Sequence, residues 1–312
     1  MVVHRGYTLP AWFDATWLVL ATSHSGNTEE TVAATEAALK MEATVVVIAT
    51  GGVLAGLPEL SPRCYLVPTV GGQPPRTAFG HIFSRQVAVL EHLGLLTPQA
   101  ADHEKPCSTP RRQQRAFRRS RPTRGRHCPA GGGLMDQPIA VVGPLEMAPA
   151  LNRFKNQMNE NAARFVRMAV VPEMNHNESV AWGGVGPDGD GDAANQALLL
   201  LTWDGMHPRV QQRLDWMIAH ASTETAWNLV GEGTSLLECL LYHCLVMDWL
   251  SITLAFLHGR TLQPSGPSTL EGPPELGSIE RPADQPRVRV QGESSLPVLS
   301  LTTPGKSPFS GS

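Results

Sequence analysis

A chain of 312 residues with 42% hydrophobic residues can bury one large or two moderate cores. Its net charge of −3 argues against a general pull towards nucleic acid or anionic membrane, although residues 111–126 carry eight arginines and no acid, leaving the remainder at −11. The five cysteines (Cys64, Cys107, Cys128, Cys239, Cys244) are odd in number and form no CxxC pair, which argues against a disulfide framework or a zinc ribbon and fits reduced thiols in a cytoplasmic protein.

The start, Met1 to Gly6, has no apolar stretch behind a basic one and does not read as a signal peptide. Residues 1–4 are expected to form a short strand and Arg5 to Pro10 a connection. Trp17-Leu18-Val19-Leu20-Ala21 predicts a strand over 17–22, followed by the hydroxyl-rich turn Ser23-His24-Ser25-Gly26-Asn27-Thr28. A helix is predicted over 28–41, with Ala34, Ala37, Ala38 and Met41 on one face. A strand that feeds a tight turn and opens a helix suits an anion. Gly26 permits backbone conformations closed to other residues, and the first-turn N–H groups of a helix have no partner inside it. Those groups, the helix dipole and the hydroxyls of Ser23, Ser25 and Thr28 can hold a phosphate. The same residues also fit an ordinary helix start, capped by Ser25 or Asn27 or closed by a capping box of Thr28 with Thr31 or of Ser25 with Thr28.

Thr44 to Ala49 is a continuous β-branched run, the pattern of a parallel strand covered on both faces. A short helix (53–60) and a short strand (64–68) follow, so the order is that of an α/β layered fold. Val70 to Arg76 is a Gly/Pro turn that ends at the start of a helix over 77–93, with Phe79, Phe83 and Val87 on one side. The helix dipole disfavours a cation at that end, so Arg76 calls for an anion or an acidic neighbour unless solvent alone accommodates it.

Residues 98–134 hold prolines, the arginine run and Gly131-Gly132-Gly133 without apolar periodicity, and are expected to be disordered. The basic run has no aromatic platform or nucleic-acid motif beside it, so nucleic-acid binding is not favoured. A second α/β unit begins near residue 136, with a strand at 138–143 and a helix at 145–158. That helix ends in the amide-rich run Asn156-Gln157-Met158-Asn159-Glu160-Asn161, and a strand at 165–171 leads to a second polar cluster, Pro172 to Glu178. Asp188, Asp190 and Asp192 alternate as in a calcium loop, but the glycine and the glutamate of that loop are missing and the stretch reads as a solvated turn. A strand (197–201), a helix (209–221), a strand (225–230) and a long helix (235–258) complete the unit. Cys239, His243 and Cys244 read as core positions of that long helix. The stretch 236–257 is broken by Glu238, His243 and Asp248 and reads as a buried helix, not a membrane span. Beyond Gly259 the Pro/Ser/Gly-rich tail is expected to be disordered.

Three features can work together: the candidate phosphate loop 23–28, the cation Arg76, and the carboxylate Glu160 with the imidazole His176. An aldose–ketose isomerase needs a carboxylate to move a proton between adjacent carbons, a cation to stabilise the enediolate, and a histidine to open the sugar ring near neutral pH. Spacing alone leaves open that Glu160 is a solvated residue and His176 a turn histidine.

The stretches HRGYTLPAW (4–12), SHSGNTEET (23–31), GGQPPRTAFG (71–80), FKNQMNENA (154–162), PEMNHNE (172–178) and GEGTSLLECLLYHCLVMDWLSITLAFLHG (231–259) carry a resemblance. The sequence resembles the bifunctional phosphoglucose/phosphomannose isomerases, which are built from two sugar-isomerase (SIS) domains. The resemblance implies that Ser23, Ser25 and Thr28 bind the sugar phosphate and that Arg76 lies beside the reacting carbons. Glu160 is then the base between C1 and C2, and His176 opens the ring from the partner subunit of a homodimer. No metal and no organic cofactor is implied.

The sequence departs from that pattern in three places. The family opens with a strand and a GMGGS-type loop, and the first domain here is expected to lack that βα unit. The family's linker is helical and acidic, where this one is the Arg/Pro run. The family's DPTPV-type turn and the lysine after it have no match near Arg260, and no residue is assigned to that lysine. A truncated, partly out-of-frame reading of a family gene accounts for all three and is checked by the other reading frames of the DNA. The expectation is an α/β protein with two SIS-type doubly wound parallel-sheet domains, at 1–97 (truncated) and 137–260, joined by a linker at 98–136 and followed by a tail at 261–312. The expected reaction interconverts fructose 6-phosphate with glucose 6-phosphate or mannose 6-phosphate. The alternative is a non-catalytic sugar-phosphate-binding protein or an inactive fragment.

Overall fold

The structure, a computed structural model, describes residues 1–97, 132–183, 191–223 and 225–260. The first half is a parallel sheet in the order β1-β2-β3, made of β1 (Leu18–Thr22), β2 (Thr44–Ala49) and β3 (Cys64–Pro68). Alternation along β2 sends Val45, Val47 and Ala49 to one face and Val46 and Ile48 to the other, and all five are buried. The first face is covered by α1 (Glu29–Lys40) and α2 (Gly52–Leu60), which bring Ala38, Leu54 and Leu57 into the core. On the second face lies α3 (Phe79–His92), which follows a 3-10 turn at Pro75–Thr77 and whose Gln86 Nε2 donates to Thr22 Oγ1 at 3.1 Å.

The second half opens with the short helix α4 (Gly132–Asp136), which occupies the end of the stretch expected to be a disordered linker. Arg164 holds its C-terminal end, donating to the carbonyls of Leu134, Met135 and Gln137 at 2.7–2.9 Å, where orphaned helix carbonyls favour a cation. A parallel sheet in the order β5-β4-β6-β7 follows, from β4 (Ile139–Pro144), β5 (Val166–Val171), β6 (Ala197–Thr202) and β7 (Ala226–Val230). β4 and β6 are buried along their whole length, which is why both are uninterrupted apolar runs. One face packs on α5 (Ala148–Gln157) and α9 (Leu236–Leu257); the other packs against Met174 and Trp182 and the helix α8 (Pro208–His220), with α6 (Glu178–Ala181) and α7 (Gly191–Ala194) lying between β5 and β6 in the chain. Helices on both faces of a parallel sheet make each half doubly wound.

Four expectations need correction. Residues 1–4 form no strand; they are exposed and have no neighbouring strand to pair with. In α1 the buried face is Thr35 and Ala38, with Val32 and Leu39 against the core, while Met41 is exposed. Thr35 can be buried because its hydroxyl donates to the Thr31 carbonyl at 2.7 Å. The helix predicted over 145–158 is three pieces: a 3-10 turn at Leu145–Met147, α5, and a π-helical turn at Met158–Ala162. Lastly, α9 is only half buried. Its inner face carries Cys239, His243, Met247, Leu250 and Leu254, whereas Leu237, Leu245, Trp249 and Phe256 are exposed. Among the described residues α9 is the helix long and apolar enough to cross a membrane, but half of its most apolar stretch is buried inside the protein.

The arginine run 111–126, the tail 261–312, Asp188, Asp190, Cys107 and Cys128 lie outside the described residues. Cys64, Cys239 and Cys244 are free and buried, and burial raises all three thiols, Cys244 to about 11.

Candidate active site

The loop 23–28 leaves the C-terminal end of β1, where parallel α/β folds gather their ligand-binding loops. Gly26 has φ +76°, and a Cβ there would sit 1.9 Å from the Gly51 carbonyl oxygen, so the residue is required both for its dihedral and for the close approach of the β2 end. Ser23 is buried; its hydroxyl lies 2.7 Å from Thr28 Oγ1 and accepts the Gly26 N–H at 3.1 Å. Ser25 is exposed, and its Oγ accepts the Asn27 N–H at 3.2 Å. Thr28 stands at the N-cap of α1 in an extended conformation and makes no side-chain cap hydrogen bond, so neither anticipated capping box forms. Asn27 does not cap α1 either. Its Oδ1 accepts the Val53 N–H at 2.9 Å and so caps α2 instead. The first turn of α1 thus keeps hydroxyls and N–H groups facing the loop. Its two acids are Glu29 and Glu30, and Glu29 receives the Tyr7 hydroxyl at 3.4 Å.

His24, which sequence reasoning passed over, stitches this loop to its neighbours. Its ring Nε2 lies 3.0 Å from the Gln73 carbonyl, and its own carbonyl accepts both the N–H and the hydroxyl of Thr50. The 70–76 turn is therefore tied to the phosphate-loop candidate, and Arg76 follows in the 3-10 turn.

Arg76 then crosses to the second half. Its Nη1 lies 3.6 Å from Glu160 Oε2, and its Nε donates to Asn161 Oδ1 at 2.9 Å. The Arg76 side chain is 10% exposed and that of Glu160 is 42% exposed, so the carboxylate remains reachable while the guanidinium is held from behind. The acidic neighbour that a cation at this position called for is Glu160, 84 positions further along the chain. The π-helical turn explains how Glu160 is presented. An i→i+5 turn widens the end of α5, and Ala163 closes it in the left-handed region at φ 48°. Within this turn Asn161 is buried and Glu160 is exposed.

His176 is elsewhere. It is exposed in the 3-10 turn Glu173–His176, beyond the C-terminal end of β5, whereas Glu160 precedes the N-terminal end of that strand. Six residues of β5 separate the two edges, roughly 17–20 Å. Within one chain Arg76 meets Glu160, and the turn that carries Arg76 is tied to the 23–28 loop through His24 and the Gln73 carbonyl, whereas His176 lies beyond the opposite end of β5.

Comparison with known proteins places the whole chain in a family. A family profile described as bacterial phospho-glucose isomerase C-terminal SIS domain matches residues 133–265. The bifunctional phosphoglucose/phosphomannose isomerase of Aquifex aeolicus is 30% identical over 261 residues, covering 82% of this chain and 75% of that protein. The protein of the same description from Thermoplasma acidophilum is 25% identical, over 85% of this chain and 77% of its own. In fold the chain is similar to the crystal structure of glucosamine-6-phosphate deaminase from Thermotoga maritima, with a TM-score of 0.58 at 12% identity over 81% of this chain and 74% of that one. On the extent of the Aquifex match, the chain belongs to the bifunctional phosphoglucose/phosphomannose isomerase family.

Proposed function

We propose that the protein is an aldose–ketose isomerase that interconverts fructose 6-phosphate with glucose 6-phosphate or mannose 6-phosphate. The observation that carries this reading is the Arg76–Glu160 pair at 3.6 Å, in a turn tied through His24 and the Gln73 carbonyl to a hydroxyl-rich loop at a helix start. Relatives described as phosphoglucose/phosphomannose isomerases support the substrate class.

The hydroxyls of Ser23, Ser25 and Thr28 and the first-turn N–H groups of α1 take the 6-phosphate. That anchors the far end of the open-chain sugar, so that C1 and C2 reach the second half. The Glu160 carboxylate removes the proton from C2 of the aldose, leaving an enediolate whose negative oxygen faces the Arg76 guanidinium. The proton returns from Glu160 to C1 while the O2 hydroxyl proton passes to O1, which gives the ketose. Run in reverse, delivery to either face of C2 yields the glucose or the mannose epimer. The guanidinium is already in place before charge develops, so little reorganisation is needed in the transition state.

Ring opening falls to His176 of a second copy, since the strand β5 separates this chain's own His176 from Glu160. The exposed apolar stripe of α9, Leu237, Leu245, Trp249 and Phe256, adds a surface suited to self-association in a homodimer. No metal or organic cofactor enters this chemistry. Doubly charged sugar phosphates do not cross membranes unaided, which suits work in the cytoplasm.

A coupled assay for glucose 6-phosphate formation from fructose 6-phosphate tests the proposal, with calorimetric binding of fructose 6-phosphate beside it. Glu160→Gln should lower kcat by about 10³-fold and leave binding in place. An active variant removes Glu160 from the role of base. Binding without any turnover by the unsubstituted chain points to a non-catalytic sugar-phosphate-binding protein.

A further inference from the structure

Among the holds on Arg76, one on its backbone carbonyl and one on its side-chain Nε both lead to one turn of α9. Its backbone carbonyl accepts from Arg153 Nη2 at 3.2 Å and from Gln157 Nε2 at 3.5 Å. Those two donors also meet Asp248: Arg153 Nη2 reaches Oδ2 at 2.7 Å and Gln157 Nε2 reaches Oδ1 at 2.9 Å. The side chain of Arg76 is held through Asn161, whose Oδ1 accepts from Nε and whose Nδ2 donates to Ser251 Oγ at 2.9 Å. The Ser251 hydroxyl in turn donates to the Asp248 carbonyl at 2.7 Å. The Arg153 guanidinium also lies over the Phe79 ring, 4.4 Å from its centroid, which clamps the start of α3 from the same side.

We propose that the Asp248–Ser251 turn of α9 is a positioning element that aims the Arg76 guanidinium at Glu160. The catalytic meaning of that aim rests on the isomerase reading above; the mechanical claim does not. The surroundings argue against a purely structural role. Phe154, Met247 and Leu250 flank the network and are buried. A guanidinium–carboxylate pair with side chains only 17% and 23% exposed is costly to desolvate there, and apolar residues of similar volume commonly serve stability as well or better. What apolar residues cannot do is orient. Asp248 offers two oxygens in one plane and divides them between two donors on α5. Asn161 faces its acceptor to Arg76 and its donor to Ser251, which sets the plane of the amide and with it the direction of the Arg76 Nε–H. The π-helical turn fits the same design, because it brings Asn161 to α9 while Glu160 faces the site.

The test uses the full chain with Asp248→Asn and, separately, Ser251→Ala. Ser251→Ala removes one hydroxyl from a helix and remains informative if Asp248→Asn does not fold. In crystal structures of the variants the Arg76 Nη1–Glu160 Oε2 separation should open beyond 4 Å while the two sheets superpose on the parent. A separation still near 3.6 Å in both variants overturns the proposal. In the isomerase assay kcat should fall by about 100-fold, as expected for a misplacement of roughly 1 Å, with KM for fructose 6-phosphate within about threefold. A folded variant with displaced Arg76 and unchanged kcat upholds the mechanical claim and overturns its catalytic meaning. Should the parent chain show no turnover, the isomerase reading fails by itself, and the displacement of Arg76 alone decides the mechanical claim.

Discussion

The two halves are built alike and contribute opposite ends. The first sheet presents the C-terminal ends of its strands, with the loop after β1, the end of β2 at Gly51 and the turn after β3 gathered around His24. The second sheet presents the far end of α5, at the N-terminal edge of its strands. Its own switch point between β4 and β6 is spanned by protein. There Trp203 Nε1 donates to Glu146 Oε1 at 3.0 Å, and a Cβ on Gly143 would lie 2.7 Å from the Leu201 carbonyl oxygen. The crevice that a doubly wound sheet ordinarily offers to a ligand is thus bridged in the second half, whereas the described strands of the first run in the order β1-β2-β3 without such a reversal. The fold supplies the possibility of a site, and the loop residues decide where it is used.

Several results would break or sharpen this contrast. The largest effect concerns the residue that lies on the wrong edge for its own chain. His176→Gln and Glu160→Gln should each be nearly inactive alone. If His176 serves the other copy, an equimolar mixture refolded together should recover about a quarter of parental activity, since half the dimers are mixed and each has one intact site. No recovery from a mixture shown to contain mixed dimers places the ring-opening group elsewhere.

A smaller effect tests how tightly the loops of the first half are packed. Gly26→Ala forces a Cβ against the Gly51 carbonyl at positive φ and should lower unfolding stability by at least about 2 kcal/mol in urea titrations. Sugar-phosphate affinity should fall with it. Parental stability in that variant would mean that the β1 loop and the end of β2 are less closely packed than the geometry requires.

The smallest effect belongs to the bridged half. His243 is fully buried, with Nε2 2.9 Å from the Thr202 carbonyl, and burial lowers its pKa below 6.5 against a weaker opposing effect of that hydrogen bond. The unfolded chain therefore takes up the proton first as the pH falls. Stability present above pH 6.5 is lost below it, by at most about 1.4 kcal/mol per pH unit, until the folded-state pKa is passed. Thermal melts from pH 7.5 to 5 should show this slope in the parent and a shallower one in His243→Gln; identical slopes would assign the pH dependence to other groups.

Much of the architecture was legible because it depends on local pattern. The β-branched run Thr44 to Ala49 became β2 with the anticipated bounds, and Ser235 with Glu238 closes a capping box where the long helix was expected to begin. The errors came where a local rule met a distant partner. Asn27 was read as a cap for the helix that follows it and instead caps α2. The outer face of α9 is as apolar as its inner face, so composition alone could not tell which side was covered.

The site divides in the same way. The loop Ser23 to Thr28 is local, since a strand end, a glycine turn and a helix start lie within a dozen residues, and the chain by itself determined it. The sequence also stated that Arg76 needs an acid. Which acid, and how it is held, only the tertiary structure decided. Glu160 comes from the other half, and Arg153, Asp248 and Ser251 had read as parts of ordinary helices. Hydrogen-bond networks join residues by distance and direction, and neither is written in the spacing of residues that lie about 80–100 positions apart.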